Sequence, residues 1–194
     1  MSADPDEISV CVFCSSAEGI APQHIELAEL TGTRIAERGW TLVSGGESVS
    51  MMGAVARGAR ALRGTTVGIV PESLLHRADH EAAELLVTET MAHRKAAMVK
   101  RADVLLALPG GVGTCEEIFE SWTAWTLGAH TKPLVLLDPG GHFAELLAWV
   151  DSATRRGFIS ARARRFLTAA ASVDEALAEC AAGTAWNTAG KEPV

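Results

Sequence analysis

Seven short apolar runs alternate with helix-patterned segments along almost the whole chain, and most of the runs are continuous stretches of apolar residues. They are Ile8–Cys14, Thr41–Ser44, Thr65–Val70, Leu85–Thr88, Val104–Leu108, Pro133–Leu137 and Phe166–Ala170. A strand that is apolar on both faces belongs in a parallel sheet covered on both sides. The segments between them, 22–38, 51–62, 91–102, 114–128, 142–156 and 173–182, carry apolar residues at helical spacing, as with Ile118, Phe119, Trp122 and Trp125. Strand–helix alternation of this kind predicts a single doubly wound, mostly parallel α/β sheet, Rossmann-like, with helices on both faces and right-handed crossovers. The expected domain covers 8–182, with 1–7 and 183–194 as tails. At 194 residues and 48% hydrophobic content, one domain can bury a full core.

In such sheets ligands gather beyond the carboxyl ends of the strands. The segment after the fifth run is Pro109-Gly-Gly-Val-Gly-Thr-Cys-Glu-Glu117, a glycine loop between strand and helix. Gly110, Gly111 and Gly113 are expected to permit left-handed turns and close approach of a ligand. Free amides and the dipole at the helix start then favour an anion, a phosphate being the natural occupant. Glu117 is an odd neighbour for an anion, which makes it the place to look for chemistry.

The formal charge of −7, from 17 basic and 24 acidic residues, argues against nucleic acid or an anionic membrane as a partner. The acidic start MSADPDE lacks the features of a secretory signal, and no apolar stretch is long enough to span a bilayer, so the expected location is cytoplasmic. Cys11 and Cys14 form C-x-x-C on a strand without a second ligand pair, and His76 and His80 share i, i+4 spacing in a segment without helical pattern. Neither points to a metal, and no cofactor is expected. A dinucleotide fold would carry G-x-G-x-x-G after its first strand, where this chain has SSAEG, and the Walker pattern is absent too. One phosphate loop without those marks implies a mononucleotide.

Three spaced motifs resemble the LOG (Lonely guy) family. Residues 109–117 fit PGGxGTxxE, Met91-Ala-His-Arg94-Lys95 resembles the family's methionine followed by Arg-Lys at a helix start, and Gly45–Gly53 resembles its glycine-rich turn ending in Met-Gly. The similarity spans roughly 8–182. It implies a phosphoribohydrolase that cuts the N-glycosidic bond of cytokinin riboside 5′-monophosphates, and often AMP, to free base and ribose 5-phosphate. It also implies a homodimer with the site near the interface. Many members carry the label lysine decarboxylase, which this sequence, with Lys95, Lys100, Lys132 and Lys191 alone, does not support. Three residues depart from the pattern: Glu47 stands for the third glycine of the turn, Ser50 for another, and Thr126 stands where many members have glutamine. A glutamate tolerates positive φ poorly, and its charge bears on ribose or base recognition.

On this reading Glu117 is the carboxylate beside C1′, Arg94 orients the nucleotide and polarises the scissile region, and Lys95 supports Arg94. Gly110, Gly111, Gly113 and Thr114 hold the 5′-phosphate. Ser15, Gly46 and Met91 touch sugar and base, and Glu120, one turn beyond Glu117, supports it. Each assignment has a structural alternative. Thr114-x-x-Glu117 is also a capping box, and Arg94-Lys95 is also an exposed charged face. The Trp122/Trp125 stripe is core or subunit contact before it is a stacking platform. Two other functions fit the loop: a general purine-nucleotide nucleosidase, and a carrier that binds a mononucleotide or cofactor without cutting it.

Overall fold

A computed structural model describes residues 7–188. All seven expected strands form, in one parallel sheet of order β4-β3-β2-β1-β5-β6-β7. The strands are β1 (Ser9–Phe13), β2 (Thr41–Ser44), β3 (Thr66–Pro71), β4 (Glu84–Thr88), β5 (Val104–Ala107), β6 (Leu134–Leu137) and β7 (Leu167–Ala170). The helices are α1 (Pro22–Glu37), α2 (Ser50–Ala61), α3 (Met91–Arg101), α4 (Val112–Thr126), α5 (Ala144–Arg155), α6 (Ala161–Arg165) and α7 (Val173–Thr188). Alternate side chains of one strand enter opposite cores. Val10 and Val12 of β1 pack with Ala28, Ile35 and Val55 under α1 and α2. Cys11 and Phe13 pack with Met98, Ile118 and Trp122 under α3 and α4. Burial on both faces is the reason the strands read as unbroken apolar runs.

Three elements differ from the sequence expectation. A 3-10 turn, Glu72–Arg77, and the five-residue α6 carry too few residues to show a period; Ser160 caps α6 by accepting from the Ala163 amide at 3.1 Å. Helix α7 runs on to Thr188 instead of ending at 182, with Gly183 set against Pro133. Residues 1–6 and 189–194 of the expected tails lie outside the described residues.

Helices α1 and α2 meet through glycines. A Cβ on Gly32 would lie 1.9 Å from the Val55 carbonyl oxygen, and one on Gly58 would lie 2.0 Å from that of Glu29. Backbone cannot yield as a flexible side chain can. Gly58→Ala is therefore expected to cost about 1–3 kcal/mol, read as a lower urea midpoint at unchanged slope. An unchanged midpoint would show that the helices separate freely.

Candidate active site

The strand order places β1 between β2 and β5, and the chain reverses direction across the sheet there, which is where such folds bind ligands. A cavity of about 330 Å³ opens at the carboxyl ends of these strands. Its walls bring together Ser15, Met91, Arg94, Lys95, Gly111, Gly113, Thr114 and Glu117 from the sequence-expected residues. Gly46, Gly110 and Glu120 are not in its walls, and Glu120 lines a neighbouring cavity instead.

The glycine loop works differently from the expectation. None of Gly110, Gly111 and Gly113 has a positive φ. Gly110 is needed because a Cβ there would strike Thr114 Oγ1 at 2.1 Å, whereas Gly111 and Gly113 face open space. They leave room for a ligand against the backbone. Helix α4 begins at Val112, with Gly111 as N-cap and no side chain capping it. The first amides of α4 thus lack side-chain partners at the cavity wall, as an anion site requires.

That start also removes the capping box. Thr114 lies inside the first turn and Glu117 in the second, where neither caps the helix. Glu117 is buried at 8% exposure and makes no hydrogen bond or ion pair among the described residues. Burial lifts its carboxyl pKa from 4.5 to about 7, opposed by the charge of Arg94 and assisted by Glu116.

Arg94 is a buried side chain of α3, not an exposed charged face. Its Nε donates to the Ile69 carbonyl at 3.0 Å and its Nη2 to that of Gly45 at 2.9 Å. These bonds fix the guanidinium between the ends of β2 and β3, beside the sulfurs of Met52 and Met91. Lys95 lines the cavity with Arg94, and its ammonium is held by Glu116 and Glu120, the latter at 2.8 Å. Burial opposes its charge, but the two carboxylates outweigh burial and raise its pKa. Glu120 is therefore the partner of Lys95.

The glycine turn after β2 contains two surprises. Gly46 takes the left-handed conformation, φ +73°, and Ser50 does so too at +50°, while Glu47 does not. Glu47 is buried, with its Oε2 2.9 Å from Arg77 Nε. His142, without a role in the sequence reading, reaches back to the loop, with Nε2 2.8 Å from the Gly110 carbonyl oxygen and 3.2 Å from its amide. No local pattern could have shown a contact across 32 positions.

Other candidates fall to structure. Trp122 is core and donates to the Ala163 carbonyl, and Trp125 stacks on Phe166 at 4.8 Å, so neither is a platform for a base. Cys14 touches the cavity, but burial raises its pKa and keeps it a thiol. Cys11 faces the opposite core. His76 belongs to the 3-10 turn and His80 to the loop beyond, so they do not share a helical face. A second cavity of about 440 Å³ shares Glu117 and Lys95 with the first and is walled by Phe13, Val99, Ala124 and Ala129, with Lys132 and His130 at its edge.

The sequence matches the family described as "Possible lysine decarboxylase" over residues 52–180. It is 48% identical over 184 residues to the cytokinin riboside 5′-monophosphate phosphoribohydrolase of Mycobacterium marinum, covering 94% of this chain and 98% of that one. The chain belongs to the LOG family. A LOG-family relative from Rhodococcoides fascians with the same name is 40% identical over 91% of this chain and 90% of its own. Among solved structures, the molybdenum cofactor carrier protein of Chlamydomonas reinhardtii superposes with a TM-score of 0.72 at 25% identity, over 92% of this chain and 99% of that one. The decarboxylase description does not suit the LOG-family cavity seen here. Schiff-base chemistry needs a lysine that loses its proton readily, and Lys95 is held charged by two carboxylates.

No helix among the described residues is long and apolar enough to cross a membrane.

Proposed function

We propose that this chain is a phosphoribohydrolase acting on cytokinin riboside 5′-monophosphates and on AMP, working as a cytoplasmic homodimer. One observation carries the reading: a buried, unpaired carboxylate titrating near neutrality, Glu117, stands on the same cavity wall as the uncapped amides of the α4 start. The rise of about 6 Å between Gly113 and Glu117 is comparable to the reach from a 5′-phosphate to the anomeric carbon. A phosphate on those amides therefore brings C1′ to Glu117.

The C1′–N bond breaks with its electron pair to the base, and the oxygen of a water bonds to C1′. Positive charge develops on the ribose ring in between, as in glycoside hydrolysis. Ionised Glu117 stabilises that charge and takes a proton from the water; that proton passes on to the departing base nitrogen, which leaves Glu117 ionised again. The fixed guanidinium of Arg94 orients the nucleotide. Held at its phosphate, the sugar cannot drift, so binding energy remote from the bond assists its cleavage. The apolar second cavity, walled in part by Glu117, suits an apolar group on the base. Val112 and Leu127 are strongly exposed near the two ends of α4 and offer apolar surface to a second copy.

The test is chromatography of the base released from AMP, isopentenyl-AMP and adenosine. Base should appear from both nucleotides, with adenosine slower by about 10²-fold or more for want of the phosphate anchor. Faster release from the prenylated nucleotide marks the cytokinin type, and equal rates mark a general purine-nucleotide nucleosidase. Tight binding of AMP without release would replace the reading by a carrier, the role named for the Chlamydomonas protein.

A further inference from the structure

Glu47 occupies the place of the third glycine in the LOG-family turn, and its setting is unusual for a surface-loop glutamate. The side chain is only 3% exposed and forms part of the wall of the nucleotide cavity. Neither carboxylate oxygen accepts a hydrogen bond among the described residues. Oε2 is sealed beside Arg77 Nε at 2.9 Å, off the line of a hydrogen bond. Oε1 lies 3.7 Å from Arg94 Nη2, too far for one. Buried acceptors are normally satisfied, and a carboxylate has room for several donors. Oε2 is closed off beside Arg77, so Oε1 is the oxygen left to accept from what enters the cavity.

A nucleotide offers few candidates. The phosphate brings acceptors, whereas the ribose brings hydroxyl donors whatever the base. Arg94 decides between them by position. Its guanidinium faces Glu47 and acts electrostatically on Glu117, so the two carboxylates flank one guanidinium. With C1′ at Glu117, the 2′-hydroxyl on the adjacent carbon is the sugar hydroxyl nearest to Glu117, whose neighbouring guanidinium, Arg94, faces Glu47.

We infer that Glu47 accepts a hydrogen bond from the ribose 2′-hydroxyl and makes the site selective for ribonucleotides over 2′-deoxyribonucleotides. The placement of the sugar rests on the phosphoribohydrolase reading. A bond to this hydroxyl gains strength as the ring becomes cationic, so the selectivity is larger in turnover than in binding. Glu47 also balances the two arginines, which otherwise present uncompensated positive charge to the sugar.

The test separates the inference from the reading on which it rests. Calorimetric binding of ribose 5-phosphate and of 2-deoxyribose 5-phosphate is measured for the wild type, Glu47→Gln and Glu47→Gly, and base release from AMP and 2′-deoxy-AMP is measured alongside. The wild type should bind the ribose compound about tenfold more tightly, as a hydrogen bond to a charged group implies. That ratio should fall below about twofold in Glu47→Gly and lie between in Glu47→Gln, whose shape keeps the turn intact. A change in phosphate affinity from the lost charge affects both sugars and cancels in the ratio. Equal binding of the two sugars to the wild type, or an unchanged ratio in both variants, overturns the inference even if base is released. A ratio that responds as expected, without base release from AMP, upholds Glu47 and overturns the hydrolase.

Discussion

Glu117→Gln is expected to lower base release by about 10³-fold, within the range for loss of a general acid–base group, without destabilising the fold. Glutamine keeps the shape of the side chain but carries no negative charge. The loss should fall on kcat, because the carboxylate acts on charge that exists only in the transition state. The wild type should show an acidic limb in its pH–rate profile near 7, where Glu117 ionises, and the variant should lack it. Stability provides the independent check. The folded-state pKa is raised above the unfolded value of 4.5, to about 7. The stabilising contribution of Glu117 is therefore fully present below 4.5 and is lost as pH rises through 7. The shift corresponds to on the order of 3 kcal/mol. At pH 8 the buried charge opposes folding, so Glu117→Gln should melt at or above the wild-type temperature. A variant that retained turnover, or one that melted lower at pH 8, would sink the assignment.

The fold was legible because its strands are buried on both faces. Val104–Leu108 and Pro133–Leu137 can hardly be anything but interior parallel strands, and the helices between them have a clear apolar stripe. The 3-10 turn and α6 were not, since five or six residues cannot show a period and their shape comes from capping and tertiary contacts. At the site, the meeting of the glycine loop, Glu117 and Arg94 around one cavity was legible from motif and order. The local pattern misled where two structures share one signature. Thr114-x-x-Glu117 reads as a capping box, but Gly111 begins the helix without a side chain and carries Glu117 into the second turn. The partners of Lys95, the burial of Glu47 and the reach of His142 to Gly110 all join segments distant in sequence. They follow from strand order and helix placement, which single-sequence patterns express only after the fold is assembled.

Arg94→Lys should lower kcat/KM by about 10²-fold, although it preserves the charge. The guanidinium uses Nε for Ile69 and Nη2 for Gly45, and this fork holds it against the cavity. An ammonium is a point charge on a flexible stem and cannot reproduce both bonds at that angle. It leaves a buried carbonyl without its donor, a further cost of about 1–3 kcal/mol in stability. Gly45→Ala tests the same geometry from the other side, because a Cβ there would lie 1.7 Å from Arg94 Nη2. The arginine would have to leave its place, and the loss of turnover should resemble that of Arg94→Lys with the residue itself untouched. Arg94→Met removes the charge as well. Since Arg94 holds the Glu117 pKa down against burial, the acidic limb of the pH–rate profile should move to higher pH in this variant, and in the same direction but less far when Lys95, which also lowers that pKa, is changed to Met. Full activity in Arg94→Lys would mean that any nearby positive charge suffices. An unmoved limb in Arg94→Met would mean that burial alone sets the titration of Glu117.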